Sequence, residues 1–242
     1  MLTESEAIVL RSLKYNDRAN IVEVFTRQYG RVPFLVNIPR SPRAGIKNVL
    51  FRPLALLELH WNHRPTASLQ RIKAVRCHIP LVSIPYHPYK TATALFLSEF
   101  LCYALREEHS GGPIFDYIST SIQWLDTCEA RFTNFHLVFL MQLSRFLGFY
   151  PNTEHADPGY WFDMLNSCFV PACPLHNHRI TPDEAHRIPL LMRMRYETMH
   201  LFSFTYEERN RLLTFINDYY RLHIPSFPPL KSLAVLQDLF HR

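Results

Sequence analysis

The chain has 242 residues, 48% of them hydrophobic, and a net charge of +5, which is enough apolar surface for one large or two modest cores and argues against disorder. Its five cysteines, an odd number, do not suit a secreted disulfide framework, and no run approaches the ~18 apolar residues of a spanning helix. The start, MLTESEAIVLRSLKYNDRAN, carries acids where a signal peptide has bases, so a cytoplasmic protein without a membrane partner is expected.

In chain order, the first third reads as strands. Residues 7–13, 20–27, 31–38, 54–61 and 68–75 are short and rich in β-branched, leucine and aromatic residues. In the fourth, Ala55, Leu57, Leu59 and Trp61 fall on one face, with Glu58 and His60 on the other. Tyr29-Gly30 offers a tight hairpin, and residues 39–52 form a longer link broken by prolines and a glycine. Five antiparallel strands with a long connection after the third suit a small Greek-key barrel of the OB type. A proline-rich joint at 79–88 precedes a change to helical period, with helices expected at 89–109, 113–129, 133–149, 205–222 and 230–240. The fold class is thus an N-terminal five-stranded OB barrel followed by an all-α region. Domains are expected at 1–80 and 81–242, the second interrupted by an irregular Pro/His/Cys segment at 150–189.

Charge follows chain position. Residues 1–80 hold 13 Lys+Arg against 5 Asp+Glu, a net of +8, whereas residues 81–242 hold 13 against 16, a net of −3. Between Glu23 and Glu58 there is no acid, while Arg27, Arg31, Arg40, Arg43, Lys47 and Arg52 all occur there. A one-signed stretch of this kind either meets a polyanion or is a solvated face that keeps the protein soluble. Its position favours the polyanion: Arg27, Tyr29 and Arg31 surround the hairpin between the second and third strands, the usual oligonucleotide face of such a barrel, and Arg40, Arg43 and Lys47 lie on the following link. Tyr29, Phe34 or Tyr15 could stack an unpaired base, although Phe25, Phe34 and Phe51 read better as core.

Other constellations are weaker. Cys168, Cys173, His176 and His178 supply four zinc-type donors, but C-x4-C-x2-H-x-H is not the spacing of a structural site, so no cofactor is expected. HExxH, GxSxG and a glycine-rich phosphate loop are all missing, and six glycines leave little material for such a loop, so the protein is not expected to be an enzyme. Helix 133–149 is apolar on most of its circumference. Within it, His136 and Arg145, with Phe139 and Leu143 between them, could rim a groove for a peptide that combines aromatic side chains with a carboxylate; snorkelling at the edge of the core is the alternative.

The run AIVLRSLKYNDRANIVEVFTRQYGRVPFLVNIPRSPRAGIKNVLFRPLALLEL resembles the N-terminal domain of the bacterial recombination mediator RecO. The resemblance lies in a first strand ending in a basic-aromatic stretch with Lys14, Tyr15 and Arg18, a second ending VFT, a GRV turn, an R-S-x-R loop and a P-L-x-L-L start to the fourth strand. RFLGFYPN and PLKSLAVLQDLF extend it through the helical part. The resemblance implies binding of single- and double-stranded DNA, strand annealing, and help to a recombinase at gaps covered by single-strand-binding protein. It also implies a bacterial cytosolic, nucleoid-associated location. The implied partners are RecR and the acidic, aromatic C-terminal tail of single-strand-binding protein, which docks on the helical domain. Zinc-bearing members carry two paired-cysteine motifs that this chain lacks, and Pro39 stands where glycine or alanine is common. The competing reading is a helical interaction scaffold whose basic barrel docks an acidic protein; a zinc enzyme is the third.

Overall fold

The structure, a computed structural model, describes residues 2–37, 48–108 and 111–239. Five strands, β1 (Leu2–Asn16), β2 (Ala19–Thr26), β3 (Gly30–Asn37), β4 (Leu56–Asn62) and β5 (Gln70–Ile79), close into a barrel of order β1-β2-β3-β5-β4. All neighbours are antiparallel except β3 and β5, which run parallel, as an OB barrel requires. At fifteen residues, β1 is long because it closes the barrel. Its first half pairs with β4 (Glu4↔His60, Ile8↔Leu56) and its second half with β2 (Leu13↔Ile21).

Alternation decides what lies inside. Val9, Val22, Val24, Val32, Phe34, Leu57, Leu59 and Trp61 fill the barrel, and Glu58 and His60 point out, as the period-two pattern predicts. The turn into β3 depends on Gly30 at φ 59°, a conformation that costs glycine nothing. The Thr26 hydroxyl braces this turn: it donates to the Gly30 carbonyl at 2.9 Å and accepts from the Tyr29 N–H at 3.0 Å.

The helical positions agree with the expected ones to within a few residues: α1 (Pro88–Ala104), α2 (Gly112–Thr127), α3 (Phe135–Phe146), α6 (Tyr206–His223) and α7 (Lys231–Leu239). The segment expected to be irregular contains a small sheet of β6 (Trp161–Asp163), β7 (Cys168–Val170) and β8 (Arg179–Ile180) in the order β7-β6-β8. The short helices α4 (Pro182–Ala185) and α5 (Arg187–Arg193) follow it.

By packing, the chain divides into one unit of Met1–Thr127 with Pro229–Arg242 and a second of Cys128–Pro228. The first holds the barrel with α1, α2 and α7, because the barrel's outer face is partly apolar. Ile8, Leu10 and Phe25 are fully buried, the Ser98 hydroxyl donates to the Leu10 carbonyl, and Phe25 stacks on Phe115 at 6.3 Å. Gly111 makes that approach possible: a Cβ there would lie 2.5 Å from the Phe25 ring. In the second unit α3 packs on α5 and α6, and α6 begins with a capping box between Thr205 and Glu208. Among the described residues no helix is long and apolar enough to cross a membrane.

Candidate nucleic-acid interface

The β1–β2 hairpin carries the first group of candidates. Residues 12–18 are all exposed, and Lys14, Tyr15 and Arg18 sit at its tip; Tyr15 is 60% exposed. Asn16 shapes the turn by accepting the Arg18 N–H at 2.8 Å, and Lys14 lies 2.7 Å from Asp17 in a fully solvated pair worth little.

The acid-free window looks different in space than along the chain. Arg27 bonds Glu6 of β1 at 2.9 Å and Asp116 of α2, lying 5.2 Å over the Phe115 ring. Arg31 reaches Glu23 at 2.5 Å and donates to the Cys102 carbonyl at 2.7 Å; Arg11 reaches the other oxygen of the same carboxylate at 2.6 Å. Strand pairing and helix packing therefore supply the acids that the sequence window lacks. Arg52 is exposed, Tyr29 is 38% exposed, and Arg40, Arg43 and Lys47 lie outside the described residues.

Among the described residues of the first 80, the acids are taken up as follows. Glu6, Asp17, Glu23 and Glu58 engage Arg27, Lys14, Arg11, Arg31 and Arg76, and Glu4 lies 3.8 Å from His60. Hydrogen bonds from Arg76 hold the Glu58 carboxyl below its usual range, so this pairing is fully ionised near neutrality. Arg18, Arg52, Arg64, Arg71 and Lys73 are left with no ion pair among the described residues. The last three lie beyond Glu58, outside the first acid-free window. A second acid-free stretch, from Leu59 to Ser98, was the available signal.

The proposed groove on α3 does not form as expected, since His136, Phe139 and Leu143 are all buried and only Arg145 is exposed, 5.5 Å over the Tyr150 ring. The exposed residues of this helix are Arg145 and Phe146, at its C-terminal end. Cations and aromatics do converge near its start, in a cleft of about 350 Å³ lined by Arg131, His200, Phe202, Phe204 and Arg209 and by no carboxylate.

Cys168, Cys173, His176 and His178 lie on or after β7, with His176 3.2 Å from Asp163. They supply no group of three convergent ligand atoms; among the described residues Glu4, Glu58 and His60 are the group that does, and Arg76 already bonds Glu58 there at 2.6 Å.

Comparison with known proteins gives concordant matches along the chain. The family model described as Recombination protein O N terminal matches residues 1–80, and Recombination protein O C terminal matches residues 86–234. The chain is 55% identical over 240 residues to the DNA repair protein RecO of Phocaeicola vulgatus, covering 99% of this chain and 100% of that protein. It is 56% identical over 241 residues to that of Bacteroides fragilis and 31% identical over 244 residues to that of Flavobacterium johnsoniae, with the same coverage.

Proposed function

The chain belongs to the family of the DNA repair protein RecO, with a role in DNA repair and recombination, and from that premise we propose that it binds single- and double-stranded DNA and anneals complementary strands. In the same reading it assists recombinase loading at gaps covered by single-strand-binding protein, with RecR as a further partner. The observation that carries the DNA reading is the cations left over after the barrel's acids are paired, beside the exposed aromatic of the β1–β2 tip. Guanidinium and ammonium groups neutralise phosphates, and neutralisation removes the repulsion that keeps two strands apart. Annealing on such a surface needs no covalent step, only screened backbones and bases that remain accessible.

Lys14, Tyr15, Arg18, Tyr29 and Arg52 are the described members of this surface, with Arg40, Arg43 and Lys47 on the link between β3 and β4. Arg27 and Arg31 act in it as structural ties between strands and helices. For the acidic, aromatic tail of single-strand-binding protein, the cleft at the start of α3 offers cations and aromatic rings without a repelling carboxylate.

The test is binding and annealing of labelled oligonucleotides by the full chain across a salt series. Replacing Arg40, Arg43 and Lys47 together with alanine is expected to flatten the slope of log K against log salt by up to about three on duplex DNA, close to one unit per lost phosphate contact. Micromolar or weaker binding at low salt would instead favour a protein-docking scaffold.

A further inference from the structure

The hairpin between β4 and β5 builds a cleft of about 480 Å³ whose lining includes Asn62, Arg64, Leu69, Arg71, Ile72 and Lys73. Three of these are exposed cations without an ion pair among the described residues, and no carboxylate lines the cleft. Arg71 and Lys73 are both exposed on β5, while Ile72 between them packs on the barrel core; Lys73 lies at the bulge where the register shifts between Ile72 and Ala74.

The loop that presents Arg64 is fixed from within. Gln70 is 5% exposed; its Oε1 accepts the Arg64 N–H at 3.0 Å, and its Nε2 donates to the carbonyls of Arg64 at 2.8 Å and Ala67 at 3.1 Å. A loop held in this way loses little entropy when a ligand arrives. Next to Arg64, the His63 ring stacks on Tyr29 at 4.7 Å and 30°. The Trp61 Nε1–H donates to His63 Nδ1 at 3.3 Å, which sets the ring's orientation.

We propose that the β4–β5 hairpin is a single-strand clamp: Arg64, Arg71 and Lys73 hold consecutive phosphates of an unpaired nucleic-acid strand, and the Tyr29–His63 stack receives a base. This rests on the DNA-binding reading above and assigns it to residues outside the first acid-free window. The aromatic pair gives the preference for an unpaired strand, because a base locked in a duplex has no face to offer it.

The experiment uses the full chain, fluorescein-labelled oligo-dT and a duplex of equal length, each titrated over a salt series. Arg64→Gln, Arg71→Gln and Lys73→Gln combined are expected to flatten the oligo-dT slope by about two, at roughly 0.7 per phosphate on a single strand. His63→Ala keeps every cation and is expected to weaken oligo-dT binding roughly tenfold at unchanged slope. Arg64→Lys with Arg71→Lys should retain the wild-type slope, which separates charge from shape, and matching melting curves establish that the variants fold. If wild-type protein fails to bind either DNA at low salt, the DNA-binding reading itself falls. Wild-type binding with an unchanged slope in the triple variant overturns the clamp alone, as does an equal loss on oligo-dT and duplex in the His63 variant.

Discussion

Burial, reinforced by the nearby Arg209 charge, lowers the His136 pKa from 6.5 to about 3. Between those values the unfolded chain takes up a proton that the folded chain refuses. Stability from this residue is therefore complete above about pH 6.5 and falls as the solution is acidified, by about 1.4 kcal/mol per pH unit. His136→Gln removes the titration, so the difference in unfolding free energy between wild type and variant should shrink at that rate from pH 6.5 towards pH 4.5. Parallel stability curves over that interval would contradict the assignment. The periodicity of the helix shows an imidazole among apolar residues, but it looks the same whether the neighbouring surface is solvent or another helix. Packing on α5 and α6 decides that it is core, and no local pattern contains this information.

Elements were legible where alternation was strong. β4 reads directly from Leu57, Leu59 and Trp61, whereas the first turn of the barrel wall was hidden because β1 directs Thr3 and Ser5 inward, at 8% and 2% exposure. β6, β7 and β8, at two or three residues each, are too short for any period to register. The lysine-serine start of α7 was visible as a motif, and its physical reason lies on α1. The Glu99 carboxylate accepts the N–H groups of Lys231 at 3.0 Å and Ser232 at 2.8 Å, together with the Ser232 hydroxyl. α7 has nine residues and one fully buried side chain, Leu236, so this distant cap is a large part of what docks it. Glu99→Ala should cost roughly 1–2 kcal/mol, felt locally. Amide exchange across residues 231–239 should accelerate about tenfold while the barrel strands keep their protection. Unchanged exchange in α7 would show that its apolar contacts hold it without the cap.

At the scale of the whole molecule, charge along the chain and charge in space do different work. The net of +8 in the first 80 residues indicates a polyanion surface, but it does not say which cations are spent internally; strand register does, by placing Glu23 between Arg11 and Arg31 and Glu58 beside Arg76. At most nine cations of that region remain for phosphate: Lys14, whose solvated pair with Asp17 is weak, Arg18, Arg52, Arg64, Arg71 and Lys73, with Arg40, Arg43 and Lys47 outside the described residues. If DNA is confined to the first 80 residues, the slope of log K against log salt on duplex cannot be steeper than about −8, at ~0.9 per contact. Arg31→Gln then separates the two kinds of cation. It should lower stability by about 1–3 kcal/mol, because it breaks a largely buried charged hydrogen bond, while leaving the salt slope within a few tenths of wild type. A slope well beyond about −8, or one that falls by a full unit in Arg31→Gln, would mean that DNA competes for the internal pairs or that cations from residues 81–242 join the track.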